Sequence, residues 1–224
     1  MSHREAKSAL YEQFARMGKG LANPKRLELL DLLSQGERSV EVLSTQAGLG
    51  LSTTSMHLQA LKDSGLVVSR RSGTSIYYRM KSEEASALFA MLREVASTHL
   101  AEANRAISDY LGIDSDEKSL VVKRSELPDL MQDGEVVVLD VRPTVEYKAG
   151  HIPGAVSVPL PELERFLSKI PEGHEVVVYC RGAFCVLAYD AIKTLTSKGR
   201  RARRLQEGML EWRLAGLPVE QSVA

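Results

Sequence analysis

Apolar residues recur at helical spacing in the first half of the chain, between residues that begin and end helices. The pattern predicts one helix over about residues 4–19. It predicts a second after Asn23, which caps the helix, with Pro24 at the first helical position and Gly36 beyond its end. The buried face of this second helix is predicted to hold Leu27, Leu30 and Leu33. The chain therefore starts as a mainly α-helical unit.

Two short helices and a hairpin follow. One helix is predicted from Ser39 until Gly48 ends it, and the next from Ser52 until Gly65 ends it, so a tight turn joins them as in a helix-turn-helix. The stretch "LVVSRRSGTSIYYRM" alternates and turns at residues 72–73, which predicts a β-hairpin. A long amphipathic helix over residues 83–111 is predicted to close this half.

The pattern changes at "GIDSDEKS". Beyond it, apolar β-runs are separated by amphipathic stretches, which predicts an α/β domain with a mostly parallel, five-stranded sheet. We therefore expect a mainly α winged helix-turn-helix domain over residues 1–111, a linker over 112–118 and an α/β domain over 119–224. A length of 224 residues suits two domains of ordinary size.

Composition and charge narrow the function classes. No apolar run approaches the roughly 20 residues of a membrane span, and the sequence shows neither a signal peptide nor a disulfide framework, so we expect a cytoplasmic protein with reduced thiols and no membrane partner. The net charge is zero, yet residues 19–81 hold nine Lys and Arg against five Asp and Glu. This modest excess favours nucleic acid as a partner only weakly.

The second helix of a helix-turn-helix places its first residues at the edges of the bases. In "STTSMHLQALKDSG", Thr54, Leu58 and Leu61 have the spacing of a core-facing stripe. The predicted DNA contacts on the other faces are Ser52, Thr53, Ser55, Met56 and Gln59. His57 is a candidate for a phosphate contact, although a packed His is an equal alternative. In the hairpin, the cations predicted to lie along the DNA backbone are Arg70, Arg71, Arg79 and Lys81.

The strings "NPKRLELLDLL", "LSTTSMHLQALKDSGLV" and "RRSGTSIYYRM" resemble the ArsR family of winged-helix repressors. The resemblance implies a homodimer, paired through the first and last helices, that leaves its double-stranded DNA operator when an inducer binds. Departures from the metal-sensing members are visible, because "VEVLSTQAG" lacks cysteine and the partners of His99 would fall at Ser86 and Leu88. We therefore expect no metal site and no cofactor.

The strings "LDVRPTVEYKAGHIPGAVSVP", "VVVYCRGAFCVLAYDAI" and "LQEGMLEWRLAGLPV" resemble the rhodanese family over residues 118–220. Cys180 follows a buried strand and precedes a helix near Val186, a setting whose backbone N–H groups favour a thiolate or a persulfide. Arg181 adds positive charge. Asp140 and Arg142 are expected near the same sheet edge. Their alternative role is structural, because the resemblance implies that Asp140 and His151 hold loops together.

The loop "CRGAFC" has the length of the sulfurtransferase members, but Cys185 stands where active members carry Arg. Sulfur transfer, if it occurs, is therefore expected to be weak. Cys185 is either a small buried residue or the partner of Cys180 in a dithiol switch. The leading hypothesis is a repressor that senses its inducer through Cys180. The inducer is expected to be a sulfur-containing or thiol-reactive compound, that is, sulfane sulfur or an oxidant. The alternatives are a DNA-tethered thiosulfate-type sulfurtransferase and an arsenite or soft-metal sensor using Cys180 and Cys185.

Overall fold

The computed structural model describes residues 2–112, 121–134 and 136–222. Its contacts divide the chain into two compact units, Met1–Arg93 and Glu94–Ala224. Residues 113–118 of the predicted linker lie outside the described residues. The predicted domain boundary at residues 112–118 therefore stays a prediction.

The first unit contains the predicted helix-turn-helix and hairpin. Its elements are α1 (His3–Leu21), α2 (Pro24–Ser34), β1 (Arg38–Ser39), α3 (Val40–Gln46), α4 (Leu51–Asp63), β2 (Val67–Ser72), β3 (Ser75–Met80) and the first part of α5 (Glu83–His99). The three strands form an antiparallel sheet in the order β1-β3-β2. This is the winged helix-turn-helix that the sequence predicts, with the two-residue strand β1 as an addition.

The cap predicted for α2 is present, and most of the predicted core of the first unit is buried. The Asn23 side chain accepts a hydrogen bond from the Arg26 N–H (3.1 Å), and the Ser39 side chain accepts one from the Val42 N–H (3.4 Å). The predicted core-facing stripe of α4, Thr54, Leu58 and Leu61, is fully buried. On α2 the buried leucines are Leu29, Leu30, Leu32 and Leu33, while Leu27 is half-buried.

The predicted long helix over residues 83–111 is wrong in its continuity. Helix α5 ends at His99, Leu100 has an extended backbone (φ −110°, ψ 111°), and α6 begins after it. The Leu100 carbonyl accepts hydrogen bonds from the N–H groups of Ala103 and Asn104, so it starts the new helix. The preceding residues Ser97, Thr98 and His99 have lower helix propensity than Ala or Leu, which weakens the helix at this point.

The second unit is an α/β fold around a parallel sheet. Its elements are α6 (Ala101–Leu111), β4 (Val121–Val122), α7 (Leu127–Gln132), β5 (Val136–Asp140), α8 (Thr144–Ala149), β6 (Val156–Ser157), α9 (Leu163–Phe166) with a 3₁₀ turn at each end, β7 (Glu175–Tyr179), α10 (Val186–Ser197), β8 (Ala202–Leu205) and α11 (Met209–Leu214). In the described part of the chain, five strands lie in the order β4-β8-β7-β5-β6, and all of their pairings are parallel. The predicted five-stranded sheet is confirmed.

The side chains of the central strand β7 belong to hydrophobic cores on both faces of the sheet. Val176 and Val178 belong to the core on one face of the sheet, together with Cys180, whereas Val177 and Tyr179 belong to the core on the other. Because β5 lies beside β7 in parallel, Asp140 and Tyr179 are register partners at the same carboxyl edge. Ligand sites of parallel sheets form at this edge.

Candidate functional site

The first candidate site is the cysteine loop, residues 180–185, between β7 and α10. Cys180 is almost completely buried, with 1% of its surface exposed, and Cys185 is the N-cap residue of α10. The Cys185 N–H donates to the Gly182 carbonyl oxygen (3.2 Å), which turns the loop back on itself. A disulfide joins Cys180 to Cys185 across a Cα–Cα distance of 6.2 Å, so the expectation of reduced thiols is wrong for this pair in the structure. This distance lies inside the usual range for disulfides, about 4.4–6.8 Å.

The start of α11 holds the cysteine loop from outside. The Met209 N–H donates to the Cys180 carbonyl oxygen (2.9 Å), and the Leu210 N–H donates to the Arg181 carbonyl oxygen (3.0 Å). These donors are first-turn N–H groups, which lack partners inside their own helix. The start of α11 therefore contacts the backbone of the cysteine loop through two hydrogen bonds.

Arg181 is paired with a buried carboxylate. Its Nη2 lies 2.7 Å from Oε1 of Glu146, and its Nε lies 2.9 Å from Oε2, so the contact is bidentate. The Glu146 side chain is fully buried, while 20% of the Arg181 side chain is exposed. The positive charge predicted beside Cys180 is thus balanced by Glu146. Glu146 is not among the residues predicted for this site, and the motif "EYKAGHIPGA" is the part of the sequence that points to it.

Asp140 and Arg142 lie together as a buried ion pair. The Arg142 Nε donates to Oδ1 of Asp140 (2.9 Å), its backbone N–H donates to the same oxygen (3.0 Å), and its Nη2 donates to the Gly150 carbonyl oxygen (2.9 Å). Burial by itself lowers the pKa of Arg142, but the Asp140 carboxylate outweighs it and the pKa is raised. These contacts tie β5 to the loop before residue 151, which favours the loop-holding role. A catalytic role for either residue stays a prediction.

The second candidate site is the outer face of α4. The residues predicted to contact DNA there are exposed, and they are Ser52, Thr53, Ser55, Met56 and Gln59. His57 differs, because only 8% of its surface is exposed, which favours the packed alternative over a phosphate contact. The Gln59 side-chain amide donates to the Asp63 carboxylate (2.7 Å), so it is oriented along the helix.

The hairpin supplies the predicted cations. Arg70, Arg71 and Arg79 are all exposed on β2 and β3. Arg70 makes a bidentate contact with the carboxylate of Glu37, with its Nε 2.8 Å from Oε1, and its guanidinium lies 4.8 Å from the centre of the Tyr77 ring. The carboxylate of Glu37 raises the pKa of Arg70. Glu37 is not among the residues predicted from the sequence. The predicted DNA contacts of α4 and the hairpin stay predictions.

The described residues lack two kinds of feature. Over residues 2–112, 121–134 and 136–222, no helix combines the length and the apolar character that crossing a bilayer requires. The same residues include no group of three or more His, Cys, Asp or Glu side chains placed to hold a metal ion.

Comparison with known proteins relates the two units to two families. Residues 23–69 match the model of the bacterial regulatory protein, arsR family, and residues 123–215 match the model of the rhodanese-like domain. The chain is 49% identical over 217 residues to the HTH-type transcriptional regulator Rv0324 of Mycobacterium tuberculosis, a match that covers 97% of this chain and 94% of that protein.

Two further relatives each match one part of the chain. A sulfurtransferase of Allochromatium vinosum is 33% identical over 86 residues, which is 38% of this chain and 78% of that protein. A solution structure from Mycobacterium bovis, described as the homodimeric winged helix-turn-helix DNA-binding domain of a possible ArsR-family regulator, is 52% identical, with a TM-score of 0.42, and covers 46% of this chain and 93% of that one.

The agreement extends over almost the whole length of the Mycobacterium tuberculosis regulator and includes both units in the same order. The chain therefore belongs to the ArsR-type helix-turn-helix transcriptional regulators that carry a rhodanese-like domain.

Proposed function

We propose that this regulator is a cytoplasmic, homodimeric repressor that sulfane sulfur or a thiol oxidant releases from its operator by acting on Cys180. The observation that carries the proposal is the disulfide between Cys180 and Cys185. The sequence contains two cysteines, and both lie in the loop where rhodanese-like domains are expected to carry sulfur. A pair that can be bonded or reduced gives this loop two chemical states.

The chemistry of the switch balances as two exchange steps. The Cys180 thiolate attacks the outer sulfur of a hydropersulfide RS–SH, so that a Cys180 persulfide forms and RS⁻ leaves. The Cys185 thiolate then attacks the inner sulfur of that persulfide. The disulfide forms and HS⁻ leaves. The 6.2 Å separation of the Cα atoms permits this second step.

The first unit provides features that suit DNA binding by a dimer. The outer face of α4 is polar and exposed, and the hairpin carries exposed arginines beside it. Helix α1 exposes a row of apolar side chains at helical spacing: Leu10, Tyr11, Phe14 and Met17. A contiguous apolar row on a helix surface supports an interface with a second copy of the chain.

The switch requires a difference in free energy between two states. Release of DNA by about a hundredfold requires roughly 2.7 kcal/mol of coupling between the redox state of the loop and the DNA-binding dimer. We expect closure of a covalent bond inside the loop to alter the two hydrogen bonds by which α11 holds it, and this change would supply part of the coupling.

The experiment compares three proteins in gel-shift titrations with a DNA fragment selected from the genome. Reduced wild type should bind, and polysulfide treatment should weaken binding by at least about tenfold, which is 1.4 kcal/mol. Cys180→Ser should bind equally well before and after treatment. Cys185→Ser should form the persulfide, seen by intact mass spectrometry, without forming the disulfide. Release of DNA by treated Cys180→Ser would show that the loop is not the sensor.

The similarity to a sulfurtransferase favours one second candidate, an active sulfur-transfer enzyme attached to a DNA-binding domain. In that function Cys180 would cycle between thiolate and persulfide, and Cys185 would interrupt the cycle by closing the disulfide. Turnover with thiosulfate and cyanide separates the two functions.

A further inference from the structure

The two sulfurs of the disulfide lie in different environments. Cys180 belongs to the hydrophobic core of the second unit, with Val178 and Ala188 in the same cluster, and is 1% exposed. Cys185 lies at the border of that core and is partly exposed. The bond therefore joins a buried cysteine to one that is partly exposed at the edge of the core.

Thiol–disulfide exchange depends on which sulfur the incoming thiolate reaches. The thiolate bonds to one sulfur, and the other sulfur leaves with the electron pair of the broken bond. In the disulfide-bonded state, which is the state of this structure, an attacker that reached Cys180 would have to displace core side chains that pack at the density of an organic crystal. An attacker at Cys185 approaches from solvent at the first turn of α10.

We propose that the disulfide is reset by a low-molecular-weight thiol that attacks Cys185, so that Cys185 is the entry sulfur and Cys180 is the leaving sulfur. The inference rests on the proposed function, in which the disulfide is the signal state, and it adds how that state is reversed. The inference also states which cysteine is attacked and which one leaves, and the positions of the two residues in the sequence do not give this.

The reset balances over two steps. The thiolate RS⁻ attacks Cys185 Sγ, a mixed disulfide of Cys185 with R forms, and Cys180 leaves as a thiolate. A second RS⁻ attacks the sulfur of the bound R group, so that RSSR forms and Cys185 leaves as a thiolate. Two molecules of thiol are oxidised to one RSSR, and the protein disulfide is reduced to two thiolates.

The dipole of α10 does not choose between the two sulfurs, because Cys185 is itself the N-cap residue and the sulfur of Cys180 is bonded to it. The direction of attack therefore follows from access alone, since Cys185 is partly exposed and Cys180 is buried.

The sequence allows the two cysteines to be assayed separately. Trypsin cleaves after Arg181, so Cys180 falls in the peptide of residues 170–181 and Cys185 in the peptide of residues 182–193. The oxidised full-length protein is mixed with glutathione, quenched after short times with acid and N-ethylmaleimide, digested and measured by mass spectrometry. Early mixed disulfide should carry glutathione on the 182–193 peptide and maleimide on the 170–181 peptide, in at least about tenfold excess over the opposite pattern.

The matched control is the same reaction in denaturant. There the core no longer covers Cys180, and the ratio should fall close to one. Three results would overturn the inference: glutathione mainly on the 170–181 peptide, equal labelling of the folded protein, or loss of the disulfide without any adduct on the 182–193 peptide. None of them depends on DNA. If DNA affinity did not change with the redox state of the two cysteines, the proposed function would be contradicted. The labelling ratio would be unaffected by that result.

Discussion

Gly208 lies against the backbone of Gly182, so closely that a Cβ atom on Gly208 would stand 2.3 Å from the Gly182 nitrogen. The same Cβ would stand 2.6 Å from the Arg181 carbonyl carbon. Both neighbours are backbone atoms of the cysteine loop, which cannot rotate away as a side chain can. The requirement for glycine at position 208 therefore comes from close approach, since its φ of −133° is open to any residue.

The first prediction is that Gly208→Ala displaces the cysteine loop. The added methyl should lower the free energy of unfolding by about 1–3 kcal/mol, the usual cost of overpacking. It should also break the hydrogen bonds from Met209 and Leu210 to the loop, which would slow closure of the disulfide after oxidation. Thermal unfolding and the rate of disulfide formation are the measurements.

The control for this substitution is Gly18→Ala, where nothing lies within 4 Å of the added Cβ. Because Gly18 is inside α1, its replacement by Ala should raise stability by up to about 1 kcal/mol. If Gly208→Ala closed its disulfide at the wild-type rate, the loop would not depend on the contact with α11.

The second prediction concerns the buried pair of Asp140 and Arg142. Asp140→Asn removes the carboxylate and leaves Arg142 charged inside the domain, so we expect a loss of about 3–5 kcal/mol in the free energy of unfolding. Chemical denaturation measures it. Glu164→Gln is the matched control, because Glu164 and Lys198 form an exposed pair at 3.6 Å, for which a change within about 1 kcal/mol is expected. Equal losses for the two variants would contradict the structural role of Asp140.

How well the sequence predicts each part of this structure depends on how far apart in the sequence the interacting residues lie. Elements with a periodic pattern and local caps, such as α2 with Asn23 and Pro24, are predictable because their signals lie inside the element. Helix α8 has six residues, too few for a helical period to show, and β1 has two. The break at Leu100 has no Gly or Pro beside it that would predict the end of a helix.

The candidate sites divide in the same way. The position of Cys180 between a strand and a helix can be read from neighbouring residues. The partners of the two key arginines cannot, since Arg181 and Glu146 are 35 residues apart and Arg70 and Glu37 are 33 apart. The packed tertiary structure decides which charged residues pair over such separations. The residues next to each arginine in the sequence therefore do not identify the carboxylate that it pairs with.

The third prediction is that sulfur transfer from thiosulfate to cyanide is weak. Thiosulfate is a dianion, and near Cys180 the charge of Arg181 is balanced by Glu146 while Cys185 occupies the position where the active family members carry Arg. Cys185→Arg should raise the turnover rate, because it adds a cation and prevents the disulfide, and Cys180→Ser should abolish turnover. A wild-type rate equal to that of Cys185→Arg would mean that Cys185 does not limit the reaction.

The fourth prediction is that Glu37 restrains Arg70 on the hairpin. Glu37→Gln removes the carboxylate that Arg70 contacts twice, so the arginine becomes available to a phosphate. We expect DNA affinity to rise about threefold to tenfold at low salt and the gain to shrink as salt rises, because phosphate contacts release counterions. Gel-shift titration at two salt concentrations tests this. Arg70→Gln should weaken binding to all sequences alike, and a gain in that variant would contradict the contact.

The last prediction is that the apolar row of α1 holds the dimer. Phe14 is 61% exposed, and Tyr11 contacts its ring edge to face at 5.8 Å, so the two rings form one exposed apolar surface on the helix. Burial of one such side chain contributes about 1.5–3 kcal/mol, and a two-fold interface buries it twice. Phe14→Lys should therefore weaken dimerisation by at least about a hundredfold, which is 2.7 kcal/mol, and abolish binding to a palindromic duplex. Sedimentation velocity and gel shift measure the two effects.

The control is Val145→Lys, which changes a valine that is 60% exposed on α8 of the other unit. This variant should remain dimeric and bind DNA as the wild type does. If Phe14→Lys sedimented as a dimer, the interface would have to lie on another face of the chain.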